Sequence, residues 1–362
     1  MPSPATPAVI SYGHLLTGAV GEFLQAESMP GPEIARAVAE LVVSLSRYRE
    51  ERIPLSPIVF ITDDRMQLLK RLGGREIVPI GSGPLNSATI RKALKLCAPL
   101  ASAEWFIFVE SAVDMFRYGV FRGDAFVLSL TPLEVLRSIV DSSVHVVAVA
   151  QLAESVLELR GSQGNSRYVY LSGARTEMPA PLVLERLVGA ATQDVPLPLR
   201  EHVCTIFRHA FLEMLHISHG ALVAVLPPTG ESGSHFVDGL LLESPIDVAN
   251  LIRRYHERPS EETSAAVQAV GHLLQGMLAA DGITVLRSDG RIAGYNAFVH
   301  HLPTPTRETS DRQIGGARQR TFAALSTRVG ETLVAAFYYS QDGHADCRWA
   351  GDQAESFRAV AP

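Results

Sequence analysis

The chain has 362 residues, of which 47% are hydrophobic and 19% charged, enough apolar surface to repay the entropy of folding and to exclude wholesale disorder. Its 28 glycines and 22 prolines follow no period, which excludes a fibrous protein. With 32 Lys+Arg against 38 Asp+Glu the formal charge is −6, which argues against a general nucleic-acid or anionic-membrane binder and leaves room for a small anionic ligand in a local pocket.

Cys97, Cys204 and Cys347 are far apart and form no CxxC pair, so neither a disulfide framework nor a structural zinc site is expected. The opening residues, Met1 to Leu16, lack the basic region and long apolar core of a secretory signal. The most apolar stretch, Val144 to Leu152, is interrupted by His145 and is too short to span a bilayer. A soluble, cytoplasmic protein is the expectation, with no membrane partner.

Residues 1 to about 50 read as helical, with Ile34, Val38, Leu41, Val42 and Leu45 at helical spacing after Pro32-Glu33. Ile58 to Ile61 is a buried strand, and Thr62-Asp63-Asp64 caps a helix over Met66 to Leu72. Ile77 to Ile80 is a weaker strand ended by a turn at Gly81-Ser82-Gly83, after which Asn86-Ser87 caps a helix to about Leu96. Trp105 to Val109 and Val144 to Ala150 are further strands, and Phe116 to Phe121 reads as a packed strand or turn. This alternation makes the first half an α/β domain.

Two prolines in Gln193 to Leu199 mark the expected boundary, dividing the chain into 1–195 and 196–362. From Glu201 a helix carries Val203, Phe207, Phe211, Met214 and Leu215 on one side. Ala221 to Leu226 is a fully buried strand stopped by Pro227-Pro228. Ser244-Pro245 is expected to cap one helix, and Ser260-Glu261-Glu262 a second that reaches Leu278. Strands Ile283 to Leu286 and Ile292 to Phe298 are joined by the hairpin signal Ser288-Asp289-Gly290. After Gly315-Gly316 come a short helix to Leu325, a strand from Leu333 to Tyr339, a turn at Gln341-Asp342-Gly343 and a last strand. The second half is thus also α/β, a mixed sheet flanked by helices.

Three clusters there can carry chemistry. Asp281-Gly282-Ile283 places a carboxylate directly before a strand, where it can bind a divalent metal, while Gly282 lets backbone approach a ligand; an ordinary turn also fits. Gly316-Ala317-Arg318-Gln319-Arg320 opens a helix, and its free N–H groups and two guanidiniums favour phosphate. Residues two apart on a helix point about 200° apart, so both arginines meet one anion only if Arg318 belongs to the loop. Ser340-Gln341-Asp342-Gly343 offers a hydroxyl and a carboxylate at a strand end.

The order of these motifs, with the buried strand Gly220 to Val225 ahead of them, resembles the diadenylate cyclase (DAC) domain, whose signature is Asp-Gly-Ala, then Gly-Thr-Arg-His-Arg, then Ser-Glu-Glu. The resemblance covers about residues 205–350. It implies condensation of two ATP into cyclic di-AMP with release of two pyrophosphates, using Mg²⁺ or Mn²⁺, in two domains facing each other across a two-fold axis as a homodimer. It assigns Asp281 to the metal and to the 3′-hydroxyl, and Arg318 and Arg320 to the phosphates. Nucleotide contacts would come from Gly282, Ile283, Gly316, Ala317, Gln319, Ser340 and Asp342. Four departures stand out: Ile283 replaces alanine, Ala317 threonine and Gln319 histidine, and Gln341-Asp342 stand for two glutamates. A cyclase and a catalytically degenerate adenine-nucleotide sensor are both compatible with this set. Residues 1–195 resemble the sensor domains that precede some DAC domains.

Other candidates read as structural. His209, His216 and His219 lack firm metal-ligand spacing, His300-His301 reads as a polar cap to a loop, and Gly81-Ser82-Gly83 lacks the lysine of a phosphate-binding loop.

Overall fold

A computed structural model describes residues 12–51, 53–74, 76–101, 104–123, 127–129, 135–136, 145–153, 155–171, 180–217, 220–229, 238–299, 316–341 and 343–351. By internal contacts the chain forms two compact units, one of residues 1–125 with 130–174, the other of 126–129 with 175–362. Both are α/β, each built on a mixed sheet.

The first unit has a seven-stranded sheet in the order β4-β6-β5-β3-β7-β8-β9. Its strands are β3 (Val59–Thr62), β4 (Glu76–Pro84), β5 (Trp105–Ala112), β6 (Met115–Arg122), β7 (Val146–Ala153), β8 (Val156–Gly161) and β9 (Ser166–Tyr170). Only the β3–β5 pair is parallel. Strand alternation sorts the core into two faces. Val59, Ile61, Ile107 and Val109 pack with α1 (Tyr12–Ala26), α2 (Pro32–Leu45) and α4 (Ser87–Cys97). Phe60, Phe106, Phe108 and Phe121 pack with Leu68 and Leu69 of α3 (Arg65–Arg71). The Asp64 carboxylate caps α3, accepting from the N–H groups of Met66 and Gln67, and Asn86 caps α4. A short hairpin, β1 (Arg49–Glu50) and β2 (Ile53–Pro54), follows α2.

Gly81-Ser82-Gly83 is not a turn. It continues β4, paired with Tyr118, Arg117 and Phe116, because each glycine makes room for a buried neighbour. A Cβ on Gly81 would lie 2.6 Å from the Tyr118 hydroxyl, and one on Gly83 2.7 Å from Thr89 Oγ1.

The second unit has a six-stranded sheet, β11-β13-β12-β10-β14-β15. Its strands are β10 (Gly220–Leu226), β11 (Asp238–Asp247), β12 (Ile283–Arg287), β13 (Arg291–Phe298), β14 (Ala335–Ser340) and β15 (Ala345–Trp349). Here the parallel pair is β10–β12. One face, with Val223, Val225 and Phe337, is covered by α5 (Ala180–Thr192), α6 (Leu197–Ile217), α7 (Val248–Glu257) and α8 (Glu261–Ala279). The other, with Leu222, Ala224 and Ile283, is covered by Phe322 and Leu325 of α9 (Ala317–Ser326).

The division between units falls earlier than the proline pair. Leu184, Leu187 and Val188 of α5 share a core with Val203 and Phe207 of α6, so Val195-Pro196 is a joint between two helices of one unit. Ser244-Pro245 caps no helix. Both residues lie in β11, at the register shift between Leu241 and Ile246, where Pro245 needs no ladder donor. The cap belongs to Asp247, whose carboxylate accepts from the Asn250 N–H at 2.8 Å. Ser260 caps α8 as expected, in a reciprocal arrangement with Thr263.

Candidate active site

Strand pairing creates the site. The parallel register Leu222↔Ile283 sets Gly220 level with Asp281, and the antiparallel register sets Gly220 opposite Ser340. Three chain segments named by the sequence motifs therefore end at one edge of the sheet. Helix α9 is held over this region by Phe322, whose ring stacks on Tyr338 with centroids 5.8 Å apart.

Arg318, in the first turn of α9, reaches back to the sheet edge. Its Nη2 donates to Asp281 Oδ1 at 3.3 Å. The Arg318 side chain is 39% exposed and Asp281 78%, so both are within reach of a ligand from solvent. Gly220 makes the approach possible. Its φ is +118°, and a Cβ there would stand 3.1 Å from Arg318 Nη1 and 2.9 Å from the Tyr339 carbonyl oxygen. That carbonyl is well anchored, since the buried Tyr339 hydroxyl donates to Leu215 O at 3.1 Å and burial pushes the phenol above its ordinary range.

Gly282 has φ +87°, and a Cβ on it would lie 2.9 Å from the Asn296 backbone. Asn296 itself has φ +51°. The entry into β12 and the far part of β13 thus cross too closely for any side chain at 282, and this contact fixes Asp281 at the edge.

The structure separates the two arginines. Both belong to α9, so Arg320 is turned well away from Arg318, and one anion cannot be held between them as a pair. Arg320 is exposed, as are Gly316, Ala317 and Gln319. Among the described residues no side chain caps α9, and Gly316, at φ −65°, has open space where a Cβ would be. Ile283 is 1% exposed and packs with Leu222 and Phe322, so its side chain is core. Ser340 shapes the turn after β14, its Oγ accepting from the His344 N–H at 3.1 Å. Asp342, Gly315, His219 and His300-His301 lie outside the described residues, as does the side chain of His216.

Among the described residues no group of three or more His, Cys, Asp or Glu is arranged around a metal position. The fit to a divalent ion is nevertheless reasonable, because Mg²⁺ commonly takes one or two protein carboxylates and completes its shell with substrate phosphates and water. Asp281, exposed beside a cation that a phosphate can engage instead, provides such a carboxylate.

Two residues escaped the sequence reading. The part of Gly220 rests on its close approach to Arg318 and to the Tyr339 carbonyl, for which the sequence signal is a glycine opening a fully buried strand. The role of Asn296 depends on a crossing of two strands that no local pattern shows. No family model, curated protein or solved structure matches the chain. Among the described residues no helix is long and apolar enough to cross a membrane.

Proposed function

We propose that residues 175–362 form a cytoplasmic diadenylate cyclase of the DAC type, condensing two ATP into cyclic di-AMP and two pyrophosphates. The observation that carries this reading is the convergence of Asp281, Arg318 and Gly220 at one sheet edge, beside the first turn of α9. The motif order supports it, because three short and separately common patterns meet in space.

In this reading Arg318 exchanges Asp281 for a phosphate oxygen of ATP, and the backbone N–H groups at the start of α9 face the same anion. Asp281, released from the guanidinium, would hold a divalent ion together with the phosphates and would orient the ribose 3′-hydroxyl, whose oxygen loses its proton and displaces pyrophosphate from the α-phosphate of the second nucleotide. Bound Mg²⁺ or Mn²⁺ would supply charge neutralisation on the phosphate oxygens. Each site carries half of a symmetric product, so two such units must face each other, as a homodimer with two-fold symmetry. Arg320 would act from the exposed side of α9, on a phosphate other than the one Arg318 grips or on the facing subunit. The first unit would then act as a sensor.

A degenerate nucleotide sensor is favoured by one specific observation: Ala317 and Gln319 leave the exposed first turn of α9 without the hydroxyl and the titratable ring of the DAC signature. One experiment separates the readings. Purified full-length protein is incubated with ATP and Mg²⁺ or Mn²⁺, beside Asp281→Asn, and products are resolved by mass spectrometry. Cyclic di-AMP from the parent and none from the variant is the expected result. ATP binding without product would replace the cyclase by the sensor, and no ATP binding would remove both.

A further inference from the structure

The first unit contains a pocket that the cyclase reading does not use. It has a volume of about 360 Å³ and lies on the α3 side of the sheet, lined by Arg65, Arg117, Ser82, Ile80 and Phe108 among others. Strand register explains it. Phe108 pairs with Gly119, Glu110 with Arg117, and Arg117 in turn with Ser82, so these residues share one face across β5, β6 and β4. Gly119 lets the Phe108 ring and the Val78 carbonyl close over β6 beneath the pocket, since a Cβ there would fall 2.9 Å from Phe108 Cε1 and 2.2 Å from the Val78 carbonyl oxygen. An irregularity in β4 between Pro79 and Gly81 places Ile80 at the wall.

Charge is the second feature. The Arg65 guanidinium lies over the Phe108 ring, 5.5 Å from its centroid, and its Nε is shut off from water with no hydrogen-bond acceptor among the described residues. A buried donor without an acceptor is costly, and its natural partner is an atom that arrives with a ligand. Arg117 Nη1 stands 3.7 Å from Glu110 Oε2, and Glu110 Oε1 also accepts from the Arg65 backbone N–H at 3.3 Å. Two guanidiniums against one carboxylate leave an excess of one positive charge at the pocket.

We propose that this pocket binds a small organic anion, its acidic group held by Arg65 and Arg117 and its planar body stacked on the Arg65 guanidinium, which the buried Phe108 ring supports from below. The volume lies within the range of small-molecule sites. Stacking on an arginine that already covers a ring favours a planar body. The inference does not depend on the cyclase reading, because every residue in it belongs to the first unit.

The test uses the full chain, titrated calorimetrically with phenyl phosphate and with benzoate, and with phenol and inorganic phosphate as controls. Binding of either organic anion, at least about tenfold tighter than both controls, is expected. Arg65→Gln and Arg117→Gln should each weaken it about tenfold or more, as loss of a charge-assisted contact does, while Arg253→Gln, at an exposed position of α7 in the other unit, leaves it unchanged. Unaltered thermal transitions of the ligand-free variants would show that they fold. Phenyl phosphate alone would identify a phosphate ester as the ligand class, and benzoate alone a carboxylate. Phenol binding as tightly as the anions, inorganic phosphate binding as tightly as phenyl phosphate, failure of both anions, or variants that bind like the parent would each overturn the proposal.

Discussion

Gly220→Ala tests the geometry of the candidate active site more sharply than removal of any charged group. Alanine at φ +118° is strained wherever it sits, and its Cβ would stand 2.9 Å from the Tyr339 carbonyl oxygen, which the Tyr339–Leu215 hydrogen bond keeps in place. Strain of this kind costs about 1–3 kcal/mol, and relieving the backbone contact adds to it, so about 2–3 kcal/mol is expected. For a unit of this size each kcal/mol lowers the midpoint by roughly 2–4 °C, giving a fall of roughly 4–12 °C in the calorimetric transition of residues 175–362. The contact with Arg318 Nη1, at 3.1 Å, involves the end of a flexible side chain, which can move aside at little energetic cost. Stability loss should therefore be nearly the same in an Arg318→Ala background. ATP binding should respond differently, weakening on Gly220→Ala only while Arg318 is present, because the new methyl displaces a guanidinium that the second background lacks. A double-mutant cycle separates the two effects. An unchanged midpoint would refute the backbone argument, and equal loss of binding in both backgrounds would refute the role given to Arg318.

Two further outcomes follow from the first unit. Glu27 is fully buried and its carboxylate accepts from the N–H groups of Gln163 and Asn165 and from Asn165 Nδ2, at 2.7, 3.2 and 2.7 Å. Glu27→Ala should cost about 2–4 kcal/mol through the orphaned donors, and Gly161→Ala should act alike, since its Cβ would fall 1.8 Å from Glu27 Cδ; unchanged hydrogen exchange at the 163 and 165 amides in both variants would disprove the staple. Cys97 is fully buried and burial pushes its thiol from 9.0 up to about 12, so it should react with a thiol reagent far more slowly than the half-buried Cys204. Because the unfolded thiol ionises near 9.0 while the folded one stays protonated, its contribution to stability is complete below pH 9 and declines between pH 9 and 12. Cys97→Ala should flatten that decline in a denaturation series, and an equal slope in parent and variant would show that the thiol is not its cause.

Many elements of both units are legible because local chemistry determines them. Ser260 with Thr263, Asn86 and Asp64 are capping residues whose side chains find N–H groups two or three residues on, and Ser288-Asp289-Gly290 turns where glycine at φ +81° is needed. What stays hidden depends on partners distant in sequence. Gly81-Ser82-Gly83 has the composition of a turn, yet it is strand because Tyr118 and Thr89 require the space. Ser244-Pro245 has the composition of a helix start, yet the sheet absorbs it as an irregularity of β11. Helix α5 also went unread, although Val183, Leu184, Leu187 and Val188 carry a helical stripe, because the proline pair beyond it drew the boundary. The candidate site follows the same division. Its residues are visible as motifs, but only the β10–β12 and β10–β14 registers bring Asp281, Gly220 and Ser340 to one edge.

The Arg318–Asp281 pair has the strength expected of a placeholder. Exposed ion pairs contribute roughly 0.2–1 kcal/mol, and a single 3.3 Å contact with a carboxylate that is 78% exposed belongs at the weak end. A phosphate group offers Arg318 more acceptor oxygens and more charge than Asp281 does, so the exchange runs toward the ligand. The surroundings of the pair are of the opposite kind. Gly220, the Tyr339 carbonyl, the Gly282–Asn296 crossing and the Phe322–Tyr338 stack are backbone contacts and close packing that cannot relax independently. A weak, exchangeable ion pair beside a rigid backbone frame lets the guanidinium change partners while the frame stays in place. That combination suits anion binding and has little value as a stabilising contact.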